Sequence, residues 1–167
     1  MKYNLVKYLF AVLFSSLVLS IYAQDSRLAN QYYQSGEYEK AAEMYLQLFN
    51  KTKKNDYYFD RHIESLLAIA AYKEAENGIK SQIKERPSDM QLYVTYGNLF
   101  EKQSDPKSAE KQYQKAIDNM TADVGAISKV GKSFTQLAKY DLAIQVYKKG
   151  EKLINKPNTF AYNLADL

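Results

Sequence analysis

From Gln24 onward, apolar residues recur every three to four positions and never alternate long enough to suggest a strand. That spacing predicts helices along the whole segment. The helical runs are themselves periodic. Ala41, Ala75, Ala109 and Ala143 stand 34 residues apart, and other positions keep the same step. Ala29, Ile63, Gly97 and Gly131 precede those alanines by twelve residues, while Tyr45, Ile79, Tyr113 and Tyr147 follow them by four. Small side chains are needed where two helix axes approach, and bulky neighbours fill the space beside such a contact. A unit of this length therefore predicts a helical hairpin, repeated and stacked on itself. Local signals agree. Gly36 and Ala70 fall where the first two hairpins turn. Asp105-Pro106 predicts an N-cap followed by a first-turn proline, and Ser88 with Gln91 predicts a capping box.

The pattern resembles the tetratricopeptide repeat. In that family's frame, Phe59 and Tyr93 stand at position 4, Leu28 at 7, Gly97 and Gly131 at 8, Ala116 at 27 and Pro87 at 32. The resemblance implies an all-α, right-handed solenoid of helix-turn-helix hairpins. The repeats would run over about residues 24–55, 56–89, 90–123 and 124–157, with the start of a fifth, truncated one at 158–167. Leu48, Gln82 and Gly150 depart from the usual alanine at position 27, which predicts looser packing there. Leu164 and Leu167, lacking a following helix, are expected to have little to pack against.

The resemblance also implies that the first helix of each repeat lines a concave groove for a protein or peptide partner. Carried over residue by residue, it marks Asn30, Tyr33, Tyr57, Asp60, Glu64, Asn98, Glu101, Lys132 and Tyr162 as partner-binding. The groove is expected to be acidic near Asp60 and Glu64 and basic near Lys129 and Lys132. Tyr33, Tyr57 and Tyr162 would be its exposed contact residues. The family's clamp for chaperone tails is missing, since Ser26 stands where that clamp needs lysine.

The first 23 residues have a different character. Lys2 and Lys7 precede an uncharged apolar stretch from Tyr8 to Ile21, and Tyr22-Ala23 closes on a small residue. This order predicts a signal peptide, cleaved after Ala23, and hence a protein of the periplasm or cell surface. An uncleaved membrane anchor is the alternative, although the apolar run is short of the roughly 20 residues a span needs. The Tyr-Ala-Gln junction and the Tyr/Lys/Asn-rich composition resemble exported proteins of the Bacteroidota. Without a cysteine, an exported chain must rely on its core, and residues 24–167 are enough for one.

Composition removes several classes of chemistry. Loss of Lys2 and Lys7 takes the 23 basic residues to 21 against 19 acidic ones, too even a balance for a nucleic-acid tract. The clusters Lys51-Lys53-Lys54 and Lys148-Lys149-Lys152 read as solvated surface. Gly131-Lys132-Ser133 imitates the end of a phosphate-binding loop, but Ala126 stands where the first glycine belongs and the run falls inside a helix. His62 is the sole histidine, so serine nucleophiles and metal sites have few partners. Asp60 and Glu64 lack an opposing acid for hydrolysis. The expectation is a non-catalytic interaction scaffold with no cofactor, metal, nucleic acid or small-molecule substrate. It would touch a membrane only through an uncleaved N-terminus or a longer native chain. The alternative is the extracytoplasmic sensor front of a longer signal transducer.

Overall fold

The computed structural model describes residues 24–52 and 55–167, all of whose regular elements are helices. The signal-peptide expectation, and Lys53-Lys54, lie outside the described residues. The helices are α1 (24–34), α2 (Tyr38–Lys51), α3 (Asp56–Ala68), α4 (Tyr72–Glu85), α5 (Gln91–Lys102), α6 (Pro106–Asp118), α7 (Val124–Gln136), α8 (Tyr140–Ile154) and α9 (Ala161–Ala165). No helix among the described residues is long and apolar enough to cross a membrane. The described residues form two units that part between Ala70 and Ala71.

The first unit packs α2 against α3, with Ala29, Ala41, Tyr45 and Leu48 as one buried cluster. His62 is buried, and its Nδ1 lies 2.9 Å from the Ala42 carbonyl oxygen, which ties α3 to α2. The second unit pairs α5 with α6 and α7 with α8, and packs α5 against both α4 and α7. Its core runs from Met90 and Tyr93 through Tyr113, Ile127 and Phe134 to Tyr147 and Phe160.

Caps account for several helix starts. Asn55 accepts from the Tyr57 N–H, Asp105 from Ser108 and Asp123 from Ala126, and Pro106 occupies the first turn of α6 as its fixed φ favours. Ser88 is not the N-cap of α5. Helix α5 starts one residue after Met90, which caps it without a side-chain hydrogen bond, and Gln91 is buried. Position 27 of the repeat is tight, not loose. Leu48 and Gln82 are buried, and a Cβ on Gly150 would lie 2.5 Å from Ile127 Cγ2. Glycine is thus required there because α8 passes so close to α7. Leu164 and Leu167 do find partners, since Phe160 is buried and both leucines pack on the same cluster.

Electrostatics makes the Glu76 contacts of the second unit pH-dependent. Glu76 accepts from Lys80 Nζ at 2.7 Å and from the Tyr96 hydroxyl at 2.8 Å. The lysine first, and then the tyrosine, hold its carboxyl below the ordinary value of 4.5. A depressed folded pKa adds stability that is complete above the unfolded value and disappears as pH falls through the folded one. Wild type should therefore exceed Glu76→Gln in denaturant stability at neutral pH, with the gap closing below pH 4.5. A gap that persists in acid would show that the charge is not its source.

Candidate functional site

The spacing of polar and aromatic residues on α1 and α3 builds a site within the first unit. Asn30 and Tyr33 are three apart on α1, and Tyr57, Arg61 and Glu64 follow each other by four and three on α3, so each set shares one helix face. Helix α2 adds Tyr45 from behind, fully buried. Its hydroxyl donates to Asn30 Oδ1 at 2.7 Å, and the Tyr57 hydroxyl donates to the same oxygen at 2.9 Å. The ring of Tyr45 packs edge-on to Tyr33 and Tyr57, with centroids 6.3 and 6.4 Å away, and stacks with Tyr58 at 6.4 Å.

Arg61 is the centre of this arrangement. Its guanidinium carbon lies 4.8 Å from the Tyr33 ring centroid and 5.5 Å from that of Tyr57. Its Nη1 donates to Glu64 Oε2 at 2.8 Å, and the Tyr33 hydroxyl donates to that oxygen at 3.3 Å. Two aromatic rings and a carboxylate anchor hold the guanidinium in one pose. Burial works against the charge of Arg61, but Glu64 and then the Tyr57 hydroxyl hold its pKa above the usual value. Burial first, then the charge of Glu64, raises the Tyr33 phenol, and burial raises Tyr45. These shifts all run away from neutrality, so Tyr33 and Tyr45 stay protonated and Arg61 stays charged at pH 7. Such a cluster suits binding and not proton transfer.

Four of the residues marked from sequence, Asn30, Tyr33, Tyr57 and Glu64, come together here. Two features differ from the expectation. Tyr33 is half-buried under Arg61 instead of exposed, whereas Tyr57 keeps 44% of its surface. The surface near Glu64 is not simply acidic, because Arg61 neutralises the carboxylate. Asp60 stands half-buried on the same helix. Arg61 itself was missed, since the family frame does not count its position among the groove contacts. Its spacing to Tyr57 and Glu64 was nevertheless readable.

In the second unit, Asn98 and Glu101 are three apart on α5, Lys132 lies on α7, which packs on α5, and Tyr162 lies on α9. Asn98 is half-buried on α5 and Lys132 exposed on α7, while Tyr162 on α9 is 90% exposed. Glu101 forms an ion pair with Lys139, whose Nζ also sits 5.0 Å over the Tyr113 ring. The basic character expected near Lys129 is offset by Asp89, which accepts from its Nζ at 3.0 Å. Gly131-Lys132-Ser133 lies within α7, where the Ser133 hydroxyl donates to the Lys129 carbonyl, so the run is helix and not a phosphate loop.

Asn30 is the acceptor that both tyrosines share. Asn30→Leu should strand the buried Tyr45 hydroxyl and destabilise the chain by about 1–3 kcal/mol, measurable by guanidinium unfolding. Adding Tyr45→Phe should recover part of that loss.

Residues 26–56 match the tetratricopeptide repeat family, so that segment carries one such repeat in its sequence as well as in its hairpin. Among solved structures, the chain is similar to a protein titled MamA, with 16% identity, 80% of this chain and 73% of that one covered, and a TM-score of 0.47. It is also similar to MamA 41-end from Desulfovibrio magneticus RS-1, at 16% identity, 80% and 75% coverage and a TM-score of 0.44. Likenesses of that size say nothing of partner or location. No curated protein matches the chain.

Proposed function

We propose that this protein is a non-catalytic interaction scaffold of the cell envelope, which captures a peptide or helix on the face of α1 and α3. The observation that carries the reading is the Arg61 guanidinium held over the rings of half-buried Tyr33 and exposed Tyr57. Tyrosine and arginine dominate binding energy at protein interfaces, and a side chain already fixed before binding loses little entropy on contact. The envelope location rests on the charged, apolar and small-residue order of residues 1–23.

A photo-crosslinking residue placed at Tyr57 in the native host tests the binding face. A discrete adduct should form there, should be lost with Arg61→Ala, and should be absent with the probe at Lys132. An unchanged adduct in Arg61→Ala would remove the face from the proposal. Intact mass of the protein from fractionated cells tests location. A periplasmic species starting at Gln24 supports it, and a cytosolic species starting at Met1 contradicts it.

A further inference from the structure

Helix α8 packs on α7 and α9 with one side and carries exposed residues on the other. On that outer side, Asp141, Gln145, Lys148 and Lys152 form one exposed stripe at spacings of four, three and four. Ile144 and Lys149 flank it, and the six side chains line a shallow depression of about 470 Å³. Lys149 Nζ donates to Asp118 Oδ1 of α6 at 3.0 Å, which fixes that edge and uses up its charge. The free charge is therefore borne by Lys148 and Lys152, about 6 Å apart on successive turns. Half-buried Ile144 gives the depression an aliphatic floor, and Asp141 sets an opposite charge at the N-terminal end.

We infer that this face is a second docking surface, for an acidic amphipathic helix. Carboxylates four residues apart on the partner would meet Lys148 and Lys152, and an aliphatic side chain would rest on Ile144. The stripe from Asp141 to Lys152 is eleven steps, or about 16 Å, which matches three helical turns. Charge polarity then fixes direction, with a basic residue of the partner opposite Asp141 and its acids opposite the lysines. A nucleic-acid backbone would meet Asp141 at one end and find only two uncommitted cations. This surface is independent of the Tyr57 and Arg61 face and stands or falls separately.

The probe is an acetylated helical peptide of about 14 residues, with glutamates four apart and leucines beside them. Fluorescence anisotropy with the full chain should show binding that weakens with salt. Lys148→Glu/Lys152→Glu should weaken it about tenfold or more, and Lys148→Gln/Lys152→Gln should fall between. Tyr57→Ala/Arg61→Ala should leave it unchanged. Circular dichroism of each variant checks folding. Equal affinity of the charge-reversed variant would overturn the inference, as would absence of binding or a preference for phosphatidylglycerol vesicles over the peptide.

Discussion

Gly131→Ala should destabilise the chain by about 2–3 kcal/mol, although it adds one methyl group and improves helix propensity. A Cβ at this position would lie 2.3 Å from the Tyr147 ring. That ring is 1% exposed and lies 5.3 Å from the ring of Phe160, which is itself buried, so it has nowhere to yield. Gly97 makes the same contact with Tyr113, again at 2.3 Å, and that ring is held edge-on by Phe134 at 5.3 Å. Gly97→Ala should therefore lose a similar amount. The control sits on the same helix. Gly125 is exposed in the first turn of α7, where an added Cβ meets only the Asp123 carboxylate at 3.3 Å. Gly125→Ala should be neutral or stabilising by up to about 1 kcal/mol from propensity. Guanidinium unfolding followed by circular dichroism compares the three. A double-mutant cycle with Tyr147→Leu should show coupling above about 1 kcal/mol, because removing the ring removes the reason glycine is needed. Equal stability of Gly131→Ala and wild type would mean that α7 and α8 can move apart freely.

The same contact explains why so much of the fold could be read in the sequence. A glycine or alanine spaced sixteen residues before a tyrosine is a record of one close helix crossing, and the crossing recurs because the hairpin recurs. Gly97 with Tyr113 and Gly131 with Tyr147 therefore announced their hairpins directly. Ser88 misled because a cap signal depends on one residue's backbone angles, and Met90 took the helical conformation just before α5 instead. Gly150 misled in the opposite way. A departure from the family's alanine looked like missing volume, whereas Ile127 had already filled it. In the candidate site, helical spacing placed Tyr57 and Glu64 on one side of α3. It could not show that Arg61 would fold back over Tyr33, because that pose depends on two helices meeting. Arg61 and the half-burial of Tyr33 thus came only with the tertiary structure.

Glycine placed at three further helix ends should stabilise the chain, by about 0.5–1 kcal/mol each for Ala70→Gly, Ser104→Gly and Ala138→Gly. The reason lies in a second 34-residue periodicity that the residue types conceal. Gly36, Ala70, Ser104 and Ala138 all have positive φ, at 79°, 56°, 61° and 55°. They follow α1, α3, α5 and α7 in turn. The Ser104 N–H donates to the Glu101 carbonyl and the Asp105 N–H to that of Phe100, and Ala138 and Lys139 repeat the pair on Thr135 and Phe134. That is the helix-ending motif whose left-handed residue is normally glycine, since a Cβ there crowds the backbone. Only the first turn has glycine, so the other three carry the strain. Glycine also widens the unfolded ensemble, which is why the expected gain is below the full strain energy. The turns share no side-chain partners, so the three gains should add to about 2 kcal/mol in a combined variant. Gly36→Ala should move stability the other way by a similar step, because φ is already 79° and the hydrogen bonds to Tyr33 and Tyr32 hold it there. Thermal and guanidinium unfolding of the four single variants gives the signs. A loss of stability in Ala138→Gly would show that its methyl contributes packing worth more than the strain it imposes.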